Sequence, residues 1–181
     1  MLSIILKVEN IDSHSTHMLY PYRVLVDGCI TSLILTVYIL TTLRWNYRWW
    51  LADFPPALQA SLPPQTTSEK QRGCLIGIGA FAIILLGMAV SFILLAHQTT
   101  AGLTFFSAWL HAFLFFQVFN IWDLLVIDWI GCLFIDPSNP PIPGTEYSPG
   151  YRDYFFHVIG FLKGIVIGLF VSLLPAIAVS F

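Results

Sequence analysis

Four long apolar segments constrain the fold of this chain more than any other feature. They cover residues 24–43, 73–96, 104–135 and 155–178, and a helix needs about 20 such residues to cross the hydrocarbon core of a bilayer. Because lipid cannot satisfy backbone N–H and C=O groups, each segment must be helical. Only 10% of the residues are charged, against about 25% in soluble domains. We therefore predict an all-α, polytopic membrane protein with four transmembrane helices in one bundle.

The remaining segments are expected to be connections within a single domain covering residues 1–181. Residues 1–20 are polar in their second half and are predicted to form a loose N-terminal tail, with Met18 as an alternative start. Residues 136–154 contain five prolines, which predicts a stiff, irregular loop.

The distribution of Lys and Arg predicts the orientation. Cytoplasmic loops of membrane proteins are enriched in these residues. The second connection has none, whereas the third has Arg152 and the first has Arg44, Arg48, Lys70 and Arg72. This places the 136–154 loop in the cytoplasm and both termini outside, in a bacterial cytoplasmic membrane. The lipid bilayer is the expected partner, and a net charge of -2 without a basic face excludes nucleic acid.

The third segment is longer than a bilayer requires. Its 32 residues would form a helix about 48 Å long, against a hydrocarbon core of about 30 Å. No Pro or Gly interrupts it before Gly131. The helix must either tilt or project from the membrane, and the sequence leaves open whether it is continuous or bent.

Polar residues inside these segments are the candidates for a functional site, since an ionisable group there costs about 2.5–3.5 kcal/mol and usually faces a partner or a cavity. Asp27 has Arg23 one helical turn earlier as a natural partner. The other candidates form a predicted intramembrane polar cluster on the third and fourth segments: Asn120, Asp123, Asp128, His157 and Lys163.

Helical geometry predicts the partners within this cluster. In an α-helix Asp123 and Asp128 are about 140° apart, so we expect them to face different partners. Lys163 lies near the depth of Asp128, which predicts an ion pair between them. His157 is nearer the surface, where it could meet Asp128 or the loop.

The loop and the fourth segment add two features. Glu146, Arg152 and Asp153 stand at the cytoplasmic mouth of the cluster and are predicted to form a loop lid. Gly160, Gly164 and Gly168 recur every four residues, which lets another helix approach closely, from within this chain or from another.

Three interpretations of the polar cluster remain open. Its members could be structural ion pairs, they could handle an ion, proton or small polar solute, or Asp128, Glu146 and His157 could hold a divalent metal. No HExxH or paired-cysteine spacing supports a metal, so no cofactor is predicted. His111 is interpreted as an isolated histidine. The separate cysteines are interpreted as small buried hydrophobic residues: Cys29, Cys74 and Cys132.

Three stretches of the C-terminal half form one recognisable signature. They read NIWDLLVIDWIGC from Asn120, IPGTE from Ile142 and YRDYFFHVIGFLKG from Tyr151. This combination resembles a family of small, uncharacterised multi-pass membrane proteins in bacteria. The resemblance covers roughly the last 80 residues, and it implies that six residues belong to a single signature: Asp123, Asp128, Glu146, Asp153, His157 and Lys163.

These observations favour a non-enzymatic membrane protein. Its polar site on the cytoplasmic side would support ion or small-solute handling, or it would serve assembly as an accessory subunit, in a homo-oligomer or with another membrane protein. The alternative is a membrane-embedded, metal-dependent enzyme acting on a lipid-like substrate.

Overall fold

The computed structural model is helical throughout, without a strand in the residues that it describes. These are residues 2–98 and 103–179 for the backbone, with side chains from Pro21 onward. Four helical spans are long and apolar enough to cross a membrane, and they pack together. The predicted fold, an all-α membrane protein with four transmembrane helices in one bundle, is therefore confirmed.

The helices follow one another along the chain with two short 3₁₀ segments and one π-helical segment between them. The α-helices are α1 (Leu2–Trp45), α2 (Pro56–Ala60), α3 (Thr67–Gln98), α4 (Phe105–Trp122), α5 (Gly131–Leu133), α6 (Tyr154–Val171) and α7 (Leu173–Ala178). The 3₁₀ segments are Tyr47–Asp53 and Pro149–Arg152, and the π-helical segment is Asp123–Ile130.

The four spans combine these elements. The first span is Pro21–Trp45 within α1 and the second is α3. The third span, Phe105–Leu133, joins α4, the π-helical segment and α5 without interruption, and the fourth span is Tyr154–Ala178. Because α1 starts at Leu2, helix precedes the predicted first segment. The predicted loose tail falls on residues whose side chains are not described, and it stays a prediction.

The third span is the centre of the bundle. It packs against the first, second and fourth spans, and the first span also packs against the second. Leu35, Ile84 and Phe116, one from each of the first three spans, form a buried cluster. Val171 of the fourth span packs against this cluster. Burial of these apolar side chains holds the first three spans together at this depth. The fourth span packs against the third.

The first and third loops pack on each other at one end of the bundle. Leu51 and Leu62 of the first loop form a buried cluster with Ile142 of the third. Gly150 lies so close to Leu58 that an added Cβ would stand 2.7 Å from the leucine Cγ. The two loops therefore form a shared cap, which lies at the end of the bundle where Asp128 and His157 are found.

Arg48 links the first loop to the start of the second span through hydrogen bonds. Its guanidinium donates to both carboxylate oxygens of Glu69, at 2.7 and 3.0 Å. It also donates to the backbone carbonyls of Pro63 and Pro64, each at 2.9 Å. The hydrogen bonds to Glu69 raise the pKa of Arg48 above its usual value, so this arginine stays charged.

Candidate functional site

The π-helical segment carries both aspartates of the predicted cluster. Asp123 is its first residue and Asp128 is the sixth. Hydrogen bonds in a π-helix join residues five positions apart, and such segments are frequent at functional sites. Residues five apart are therefore one turn apart here, and the angle of about 140° expected for an α-helix does not hold. The two carboxylates lie within electrostatic range of each other.

Asp128 pairs with His157 of the fourth span. Asp128 Oδ2 lies 2.9 Å from His157 Nδ1, which is a hydrogen-bonding distance. The two side chains remain 25% and 12% exposed, so the pair is not sealed inside the bundle. His157 also interacts with the Cys132 side chain. A carboxylate and an imidazole thus meet between the third and fourth spans.

Asp123 adds a second carboxyl group beside this pair. Its carboxylate interacts electrostatically with Asp128 and His157, and also with Asp53 at the end of the first loop's 3₁₀ segment. Among the residues with described side chains, no cation lies within ion-pair distance of Asp123. The site therefore holds more acidic than basic groups, which favours a proton or another cation as its ligand.

Asn120 lies one turn deeper and joins the third span to the fourth. Its side-chain amide donates to Gln117 Oε1 at 3.1 Å and to the backbone carbonyl of Phe161 at 3.0 Å. The latter bond is possible because Gly164 has no side chain: an added Cβ would stand 2.7 Å from Asn120 Cγ. Asn120 is thus a packing residue beneath the acidic groups.

Lys163 does not join the cluster. Its side chain is exposed on the outer face of the fourth span, and no carboxylate forms an ion pair with it in the described part of the chain. The structure pairs Asp128 with His157 instead of the predicted Lys163. The reason is geometric: His157 and Lys163 are six residues apart, on different faces of one helix.

The three predicted lid residues have separate positions in the loop. Glu146 is exposed and accepts a hydrogen bond from the Gly144 backbone N–H at 3.1 Å. Arg152 is exposed. Asp153 caps the fourth span, where its Oδ1 accepts from the Phe156 N–H at 3.1 Å. This cap holds the first turn of α6, and therefore His157, in place.

The predicted metal set also involves this loop. The described residues include no group of three His, Cys, Asp or Glu side chains that could hold a metal ion. A divalent metal at Asp128, Glu146 and His157 stays a prediction. The cysteines differ from expectation, because Cys74 is exposed while Cys29 and Cys132 are only partly buried.

A second polar cluster lies toward the opposite end of the bundle. Ser91 of the second span lies between Asp27 of the first and His111 of the third, at 2.7 Å from Asp27 Oδ2 and 3.0 Å from His111 Nε2. Arg23 Nε stands 3.7 Å from Asp27 Oδ2, so the predicted Arg23–Asp27 pair is present. His111 is therefore not isolated.

Sequence reasoning missed Asp53, Cys132 and Ser91. Asp53 approaches the site only through the packing of the two loops, and nothing near it in sequence indicates this. Ser91 was overlooked because only ionisable and amide side chains were considered. It lies about as far from the end of the second span as His111 does from the start of the third, so a search for hydrogen-bonding side chains at matched depth would have found it.

Comparison with protein-family models, with curated proteins and with solved structures finds no match to this chain. Its function must therefore be argued from its own geometry.

Proposed function

We propose that this membrane protein binds an exchangeable proton or small cation at the Asp128–His157 pair and takes part in ion or small-solute handling, without catalysing a covalent reaction. One observation carries the proposal. The two side chains come from different spans, lie 2.9 Å apart and are both still partly exposed. A histidine beside a carboxylate changes its charge near neutral pH more readily than other side chains do.

The surroundings of the pair support the same function. Asp123 and Asp53 place two further carboxyl groups near the pair, and ionisable residues within spans commonly mark ion or proton pathways. The site lies at the capped end of the bundle, close to the end of the first span with Arg44 and to the loops that contain Arg48 and Arg152. The excess of Lys and Arg in these loops supports a cytoplasmic location for that end, in a bacterial cytoplasmic membrane, with both termini outside.

The test is proton uptake by vesicles that contain the purified protein and a trapped pH-sensitive dye. With a potassium diffusion potential as driving force, we expect wild-type vesicles to acidify faster than empty ones. Asp128→Asn and His157→Gln should each lower this rate at least tenfold. Asp136→Asn is the matched control, because the Asp136 carboxylate bonds only its loop neighbour Ser138 among the described residues, and it should retain the wild-type rate.

Two results would contradict the proposal. Wild-type vesicles could acidify no faster than empty ones, or Asp128→Asn and His157→Gln could both keep the wild-type rate. Circular dichroism and size-exclusion profiles of each variant establish that a lost rate does not reflect a lost fold.

Assembly with another membrane protein is a second candidate function, favoured by Lys163. This lysine lies nine residues after Tyr154, about 14 Å along the helix axis, on an exposed face. A charge at that depth normally faces a partner, and a carboxylate on a helix of a second protein would satisfy it. Gly160 lies three residues before Lys163, and an added Cβ at Gly160 would meet no atom within 4 Å, so this face is open.

An enzymatic role on a lipid-like substrate has no such support. It would need Glu146 beside Asp128 and His157, but the Glu146 carboxylate bonds the backbone of its own loop. Elemental analysis of protein purified without chelators tests the metal directly: one divalent ion per chain, lost in Asp128→Asn, would favour the enzyme.

A further inference from the structure

The second polar cluster forms a hydrogen-bonded chain with a fixed direction. The Asp27 carboxylate can only accept, so the Ser91 hydroxyl must donate its one proton to Asp27 Oδ2. Ser91 Oγ can then only accept from the imidazole, so His111 Nε2 carries the ring proton. The direction of donation is therefore from His111 through Ser91 to Asp27.

At the His111 end of this series of hydrogen bonds, one ring nitrogen has no partner among the described residues. His111 is 2% exposed, and its Nδ1 is buried without a hydrogen-bond partner among the described residues. With the ring proton on Nε2, Nδ1 has a free lone pair. Leaving a buried polar atom without a partner is unfavourable, which calls for a functional explanation.

We propose that His111, Ser91 and Asp27 form a proton relay that takes up a proton at His111 Nδ1 and delivers one to Asp27. An oxonium ion protonates Nδ1 and leaves as water. The Nε2 proton moves to Ser91 Oγ, and the original Ser91 proton moves to Asp27 Oδ2. One proton is gained overall, and no electrons are transferred. His111 ends neutral with its proton on Nδ1, Asp27 ends as a carboxylic acid, and the chain now donates in the opposite direction.

The surrounding charges set the resting state of the relay. Asp27 and Arg23 are the charged groups that act on His111. Arg23, 3.7 Å from Asp27, favours the ionised carboxylate. On the second span the exposed His97 lies six residues beyond Ser91. The fourth span places its ionisable groups near its beginning, at the other end of the bundle: Tyr154, His157 and Lys163.

This relay is separate from the Asp128–His157 pair. His111 and Asp123 are twelve residues apart on one continuous helix, which corresponds to about 18 Å. The inference therefore does not depend on the proposed function of that pair, and a failure of either leaves the other standing.

The experiment is nuclear magnetic resonance of the full chain in lipid nanodiscs, with ¹⁵N-labelled histidine and ¹³C-labelled aspartate. His111→Gln and Asp27→Asn assign the relevant signals. As the pH falls, wild-type His111 should change from the Nε2–H to the Nδ1–H tautomer. Asp27 should become a carboxylic acid over the same pH range and with the same midpoint.

Three variants at two serines isolate the hydroxyl link. Ser91→Ala should abolish the tautomer change, so that His111 becomes doubly protonated and its titration separates from that of Asp27. Ser91→Thr keeps a hydroxyl and should retain the coupled change. Ser32→Ala is the matched control, because Ser32 is also fully buried but donates only to the Gly28 carbonyl at 2.8 Å. It should behave as wild type.

The proposal is overturned if wild-type His111 becomes doubly protonated while Asp27 stays ionised. It is equally overturned if Ser91→Ala shows the wild-type tautomer change, or if neither group changes its protonation over the pH range in which the protein stays folded.

Discussion

Two aromatic side chains within the bundle bond partners on other spans. Trp122 of the third span donates its indole N–H to Thr36 Oγ1 of the first, at 3.0 Å. Tyr38 of the first span donates its hydroxyl to the Ile76 carbonyl of the second, also at 3.0 Å. In a bilayer, lipid and protein surfaces are equally apolar, so burial alone does not select which helix faces pack together. Hydrogen bonds between spans help to determine this.

The Trp122–Thr36 bond predicts the effect of a nearly isosteric change. Thr36→Val should lower the free energy of unfolding by about 1 kcal/mol, because it leaves the indole N–H without its acceptor. Unfolding by SDS in mixed micelles, followed by helical circular dichroism, measures this. Thr41→Val is the control, since Thr41 is exposed on the same helix. An equal effect of both changes would contradict the role given to the hydrogen bond.

At the scale of helices, glycine positions decide how closely the fourth span approaches the third. An added Cβ at Gly164 would meet the Asn120 amide, and one at Gly168 would stand 2.8 Å from Phe116 Cδ1. One at Gly160 would meet nothing within 4 Å. Two of the three glycines of the predicted stripe are therefore used within the chain, and the third faces outward.

This difference gives a paired prediction. Gly164→Ala should lower the free energy of unfolding by about 1–3 kcal/mol, because Asn120 must move and release the Phe161 carbonyl. Gly160→Ala should be neutral or slightly stabilising, since alanine favours helix more than glycine does. The same micelle unfolding assay compares them. Equal losses for both variants would show that the approach at Gly164 does not limit the packing.

The helices could be predicted from sequence, because an apolar segment long enough to cross a bilayer must be helical. The directions of the polar side chains could not be predicted in the same way. Every span was found to within several residues of its bounds. The aspartate partners were predicted with α-helical angles, and the segment from Asp123 to Ile130 is π-helical. No Pro or Gly there indicates the change. Since one additional residue per hydrogen-bonded turn alters every later direction, the expected angle between Asp123 and Asp128 is wrong, whereas the contact of His157 with Asp128 is one of the two that the sequence indicates.

For the molecule as a whole, the fourth span is the least buried of the four. Only 11% of its most apolar window is buried, against 22–28% for the other three spans. It carries Lys163 on an exposed face. A surface with an unpaired charge and a close-approach glycine suits a second helix better than it suits lipid.

Lys163→Met tests whether that surface binds a partner. If it does, wild-type protein extracted from its native membrane in mild detergent should have a native mass above that of the monomer, and Lys163→Met should reduce it to the monomer. The isolated variant should be at least as stable as wild type, because Lys163 pairs with no carboxylate among the residues whose side chains are described. Lys70→Met, at an exposed lysine of the second span, should leave the native mass unchanged. A monomeric wild-type protein would contradict the assembly function.

The central position of the third span also has a consequence for the order of events during synthesis. Ser91 and Thr36, which bond His111 and Trp122 of the third span, belong to spans that leave the ribosome earlier, so these two residues meet their partners on arrival. Asn120 and Asp128 bond groups of the fourth span, which is made last. A nascent chain that stops at the end of the third span therefore contains the complete cluster of Asp27, Ser91 and His111. It lacks the fourth-span partner of Asp128, the His157 side chain with which Asp128 pairs in the full bundle.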